Sequence, residues 1–188
     1  KQAGVDTSSI TKDCTFTVDP YSYEITVECV DEETKMRMQN ALNVGDNGKN
    51  LYKHIYYCST QDGCESTQIT KESKMKYEAY HQVYSYTGYE LDKLEEKNGT
   101  YYTESGENIL DLVNHAVEDT GKVPKEYKQQ MKNWIHDLVS TMSVKGWNNV
   151  SDMTLSILYG KSGLKDMNQL ITYQYEAGSM NRQWYSVL

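Results

Sequence analysis

The sequence predicts an α+β fold, with disulfide-braced antiparallel β hairpins in the N-terminal half and a helical C-terminal half packed against or beside them. Three observations carry this expectation. All four cysteines, Cys14, Cys29, Cys58 and Cys64, fall within the first 64 residues of a 188-residue chain. Apolar residues alternate strictly with polar ones on both sides of Asp19-Pro20-Tyr21-Ser22, the signature of two strands about a turn. Beyond residue 103 the apolar spacing becomes helical. Composition changes at the same place. Residues 1–103 hold 12 of the 17 Tyr and a net charge of −6, whereas residues 104–188 hold all three Trp and a net charge of −2. The chain therefore reads as a Tyr-rich, disulfide-containing, mainly β region over 1–103 and a helical region over 104–188, joined without a linker into one unit.

The first hairpin follows from period two. Cys14, Phe16 and Val18 share one face of the first strand, and Tyr23, Ile25, Val27 and Cys29 share one face of the second. If residue 18 faces 25, then 16 faces 27 and 14 faces 29, so the register that aligns the apolar faces also opposes the two cysteines. Directly opposed Cα atoms in an antiparallel pair are about 4.5 to 5.5 Å apart, a span a disulfide bridges. Cys14–Cys29 is expected on that ground, and Cys58–Cys64 by elimination. Asp31 is placed to cap a short helix over residues 31–43, with Glu32 and Glu33 in its first turn and Met38, Ala41 and Leu42 on one face. Residues 45–50 read as a loop and Leu51 to Cys58 as a strand closing a small hairpin.

Tyr77 to Tyr89 fits two periods. A strand places Tyr80, Gln82, Tyr84 and Tyr86 on one face, whereas a helix lines up Tyr77, Tyr80, His81 and Tyr84; aromatic enrichment favours the strand. Lys97-Asn98-Gly99-Thr100 is a hairpin turn leading into a strand through Tyr101 and Tyr102. Ser105 is read as the cap of a helix burying Ile109, Leu112, Val113, Ala116 and Val117 and ending at Gly121. Pro124 opens the next helix, with Tyr127, Met131, Trp134, Ile135, Leu138 and Met142 at helical spacing and Gly146 as its stop. Ser151 and Ser162 are expected to cap two further helices, the second carrying Leu164, Met167, Leu170, Ile171 and Tyr175. Trp184 and Tyr185 suggest a docked tail.

Composition narrows the function. A net charge of −8 argues against phosphate-backbone binding and against docking on an anionic membrane, so no nucleic-acid partner is expected. No apolar run is long enough to span a bilayer, so no membrane insertion within this chain is expected. Cysteines without a Cys-x-x-Cys pair are read as structural disulfides, which places the chain outside the cytoplasm: secreted, periplasmic or on the cell surface. The sequons at Asn98 and Asn149 mark two glycosylation acceptors.

Catalytic and metal-binding signals are weak. His115 lies four residues from both Asp111 and Asp119, a stripe that could bind a metal or transfer protons, but its place away from the apolar stripe reads as a solvated polar face. Adjacent His136 and Asp137 point in different directions on a helix. His54 and His81 fall on the expected strands, where they would have to meet across a sheet to bind a metal. No phosphate loop, dinucleotide fingerprint, serine elbow or His-Glu-x-x-His motif is present, and no cofactor, metal or catalytic residue is expected. The tyrosines stand out, because 17 Tyr accompany a single Phe. Tyr joins a rigid apolar body to a hydrogen-bonding tip, which suits a wet interface. The reading is a non-enzymatic extracytoplasmic binding or accessory domain that engages a protein or glycan partner through Tyr80, Tyr84 and Tyr86. A small secreted hydrolase with a spatially assembled site, or a structural subunit of a surface assembly, are the alternatives.

Overall fold

The computed structural model describes residues 14–29, 31–59, 68–160 and 163–166. The fold is α+β, and its order is β1 (Cys14–Val18), β2 (Ile25–Glu28), α1 (Glu32–Leu42), α2 (Asn47–Ser59), α3 (Lys71–Thr87), β3 (Glu95–Lys97), β4 (Thr100–Tyr102), α4 (Ile109–Asp119), α5 (Lys128–Lys145), β5 (Leu155–Gly160) and β6 (Gly163–Asp166). The chain divides into two compact units, Lys1–Ile69 with Thr154–Leu188, and Thr70–Met153. The second unit is thus inserted in the sequence of the first. The compositional boundary at residue 103 falls inside it, between β4 and α4.

The first unit is built on an antiparallel sheet ordered β2-β1-β5-β6. The β1–β2 register pairs Phe16 with Val27 and Val18 with Ile25, as the alternating apolar faces require. Cys14 and Cys29 are joined by a disulfide with their Cα atoms 4.6 Å apart. In the connecting turn the Asp19 carboxylate accepts the backbone N–H groups of Tyr21 and Ser22, and Tyr23 takes a positive φ of 61°. One sheet face buries Phe16, Val18, Ile25, Val27, Leu155 and Ile157. Helix α1 starts at Asp31, whose side chain accepts the Thr34 N–H, and buries Met38.

Two expectations for this unit are corrected. Leu51 to Cys58 is not a strand but the body of α2, because Leu51, Tyr52, Ile55 and Tyr56 recur at helical spacing and Tyr52 is fully buried. The expected loop over 45–50 shrinks accordingly, since α2 begins at Asn47. The helix expected after Ser151 is also overturned, and residues 163–166, expected to begin the next helix, form β6. Leu155 and Ile157 are buried in alternation along β5, which pairs with β1, and Leu164 lies on β6. Cys64, and with it the Cys58–Cys64 pairing, lies outside the described residues, as do Met167, Leu170, Ile171, Tyr175, Trp184 and Tyr185.

The second unit packs α3 against α4 and α5 around Val83, Ile109, Val113, Val117, Ile135, Val139 and Met142. The β3–β4 hairpin turns through Asn98 and Gly99, with φ of 52° and 83°, the two positive angles a type I′ turn demands. Asn108 rather than Ser105 caps α4, its side chain accepting the Leu110 N–H at 2.9 Å. The Ser105 hydroxyl instead bonds Glu107 at 2.8 Å in the preceding turn. Helix α4 ends at Asp119, before Gly121. Pro124 opens a single 3-10 turn, Lys125–Tyr127, from which α5 continues to Gly146.

Candidate partner-binding surface

Helix α3 carries the tyrosines singled out by composition, and its ends explain why the segment is not a strand. Thr70 and Ser73 form a reciprocal capping box: the Thr70 hydroxyl accepts the Ser73 N–H and the Ser73 hydroxyl accepts the Thr70 N–H, each at 3.0 Å. Gly88, with φ of 75°, ends the helix and donates its N–H to the Tyr84 carbonyl at 2.8 Å. Between those signals Ser73, Lys76, Tyr77, Ala79, Tyr80 and Val83 form a continuous buried face. The aromatic preference for strands is overridden by two strong helix ends and helical burial.

The change of period redistributes the expected trio. Tyr80 and Tyr84, four residues apart, stack with ring centroids at 6.2 Å and planes within 7° of parallel. Tyr80 is buried, whereas Tyr84 keeps 49% of its surface exposed. Tyr86 leaves the group. Two residues past Tyr84, it points about 200° away around the helix, where burial raises its hydroxyl pKa above the ordinary value. The structure therefore brings Tyr80 and Tyr84 together and separates Tyr86 from them.

Two residues that sequence reasoning missed complete this surface. Lys76, nearly fully buried, donates to the Val150 carbonyl at 2.7 Å and pairs with the Asp152 carboxylate at 2.8 Å. A buried ammonium needs such compensation, and here it holds the segment after α5 against α3. The same ammonium sits 4.7 Å from the centroid of Trp147, whose ring lies 6.4 Å from Tyr80. His81 lies 4.3 Å from Tyr77 and 5.2 Å from Tyr80, ring centre to ring centre. Tyr77, Tyr80, His81, Tyr84 and Trp147 thus make one aromatic array in which Tyr84 is the exposed member. No local motif announces Lys76 or Trp147, because their partners are distant in sequence.

The same unit exposes Tyr127 (55%) and Trp134 (37%), one residue just before α5 and one on it. Their spacing suggested core, but the buried stripe of α5 runs through Ile135, Leu138, Val139 and Met142, leaving these two rings at its edge.

Asp111, His115 and Asp119 lie on the exposed side of α4. His136 Nε2 meets Asn114 Oδ1 at 3.1 Å, linking α5 to α4. His54 lies on α2 and His81 on α3, so the cross-strand meeting expected of them does not arise. Among the described residues no group of three His, Cys, Asp or Glu is arranged to hold a metal ion. Asn98 and Asn149 are both exposed. In the first unit an open hollow of about 580 Å³ lies beside the β1–β2 turn, lined in part by Gln39, Asn43 and Lys49. The amides of Gln39 and Asn43 are already committed to the backbone of β2. No helix among the described residues is long and apolar enough to cross a membrane.

Comparison with known proteins places these features in a family. A family model described as a domain of unknown function, DUF4885, matches residues 6–188. The chain is 30% identical over 175 residues to a Bacillus subtilis (strain 168) protein named "Uncharacterized protein YbdO", covering 93% of this chain and 42% of that relative. The chain therefore spans less than half the length of this relative. No solved structure matches the chain.

Proposed function

We propose that this chain, which belongs to the DUF4885 family, is a non-enzymatic binding module that works outside the cytoplasm and engages a protein partner through the aromatic surface around Tyr84. The observation that carries this reading is the exposed Tyr84 ring, stacked on a buried Tyr80 that is itself backed by Trp147. A ring held from behind loses little freedom on binding, and Tyr with Trp are the residue types that anchor interfaces. Tyr127 and Trp134 add exposed aromatic area to the same unit. The Cys14–Cys29 disulfide supports an oxidising compartment.

The test compares the oxidised wild-type chain with Tyr84→Ser as immobilised baits against the extracellular protein fraction of a producing cell. Tyr84 is half exposed, so the substitution should leave the melting temperature within about 2 °C. A protein captured by the wild type and lost by the folded variant is the expected result. Equal capture by both would discard Tyr84 as the anchor. Glycan-array binding without protein capture would replace the protein partner with a carbohydrate.

A further inference from the structure

In the β1–β2 pair the backbone groups of alternate residues point in opposite directions. The Glu24 carbonyl points inward and accepts the Asp19 N–H at 3.0 Å, so Ile25 and Val27 present theirs outward. Because β2 is the edge of its sheet, those groups would be a template for another strand. Three of the four are occupied instead by side chains of α1 and its C-cap. The Ile25 N–H donates to Asn43 Oδ1 at 2.8 Å, and Asn43 Nδ2 donates to the Ile25 carbonyl at 2.8 Å. The Val27 N–H donates to Gln39 Oε1 at 3.1 Å. Asn43 Nδ2 also donates to the Gln39 backbone carbonyl at 3.0 Å, which anchors the Asn43 side chain on the last turn of α1. A carboxamide carries the same donor and acceptor as a peptide group, so Asn43 satisfies Ile25 as a residue on a neighbouring strand would.

We propose that α1 is a strap that closes the β2 edge against strand addition by a second copy of this chain, with Asn43 and Gln39 standing in for the missing strand. The charges of the edge act against the same occupant. An antiparallel self-pairing that sets Ile25 opposite Val27 of the other copy also sets Glu24 opposite Glu28, a like-charge contact that opposes pairing. Lys35 on α1 lies 3.5 Å from Glu28, so the strap matches the charge of the edge as well as its amides. Its grip is light, because Met38 is the buried residue of α1.

The experiment measures self-association of the full oxidised chain by analytical ultracentrifugation, with amide hydrogen exchange on the same samples. In the wild type the Ile25 and Val27 amides should exchange as slowly as the inward-facing Thr26 amide. Free exchange at both would overturn the strap without any variant. Asn43→Ala with Gln39→Ala should release those amides and lower the dimer dissociation constant by roughly tenfold or more. Adding Glu28→Lys should tighten the dimer further, by replacing the Glu24–Glu28 opposition with an ion pair, whereas association through any other surface would ignore it. A folded double variant whose association equals that of the wild type sinks the proposal, as does a dimer indifferent to Glu28→Lys. Should circular dichroism show the double variant unfolded, Gln39→Ala with Glu28→Lys leaves Asn43 in place. That pair should then speed exchange at Val27 and favour the dimer, and no change in either would count against the strap.

Discussion

Two of the β hairpins, β1–β2 and β3–β4, are closed by different means. The β3–β4 hairpin is closed locally: Asn98 and Gly99 supply the two positive φ angles, and its strands are only three residues each. The β1–β2 hairpin turns over a longer connection with a non-glycine residue at positive φ, and it relies on groups remote from the turn. These include the disulfide at its open end, amides donated by α1, and the start of α2 pressed against Tyr23. A Cβ placed on Gly48 would lie 2.0 Å from the Tyr23 carbonyl oxygen. The contrast teaches that the first hairpin needs remote groups to close, whereas the turn of the second is set by its own two residues, its strands then packing on α4 and α5.

The sharpest way to break the comparison is a methyl group. Gly48→Ala forces the α2 backbone away from Tyr23 and should cost about 4 kcal/mol, the range of severe overpacking against backbone. Gly99→Ala, strained in φ but facing open space, should cost about 1 kcal/mol. Urea denaturation of the two variants checks both values, and equal costs would remove the distinction. Next in size is the covalent brace. Replacing Cys14 and Cys29 by Ser should lower stability by roughly 3 kcal/mol, the value expected for a closed loop of 15 residues. Hydrogen exchange should show the loss concentrated in β1 and β2.

The smallest effect concerns β4. Tyr101 is buried, and its hydroxyl has no hydrogen-bond partner among the described residues. Burial, helped by the Glu96 carboxylate, pushes that hydroxyl from 10.0 up to about 12. Tyr101→Phe should therefore leave stability unchanged or raise it by about 1 kcal/mol, because an unsatisfied buried group is removed. The wild type should lose stability as pH rises from about 10 toward 12, since the unfolded chain releases this proton first. The variant should lack that alkaline component in pH-dependent melts.

How much of this was legible follows from where each signal lies. The β1–β2 register, the Asp31 cap and the Asn98–Gly99 turn were readable because their determinants sit within a few residues of one another. Helix α3 is not legible in its tyrosines, whose preference is for strands; the residues that decide it, Thr70, Ser73 and Gly88, lie at or beyond the limits of the tyrosine run. Strand β5 was missed because its alternation is short and its partner is remote; Thr17 and Ser156, in contact across the pair, are 139 residues apart. The candidate surface was half legible. Composition pointed to the tyrosines and period two grouped Tyr80, Tyr84 and Tyr86, whereas the helix sets Tyr86 apart from the other two, and nothing near Lys76 foretells Asp152 or Trp147.

That separation between β1 and β5 also sets an order of events. A chain appearing from its N-terminus presents β1, β2, α1 and α2 long before β5 arrives, and the whole inserted unit comes between. At roughly 10 residues per second the delay is on the order of 10 s, far longer than a hairpin takes to form. During that interval β1 has one strand neighbour and an open flank, while β2 is already covered by Asn43 and Gln39. The first unit is therefore a half-built sheet with one finished border, waiting for a strand that only a completed passage through residues 70–153 delivers.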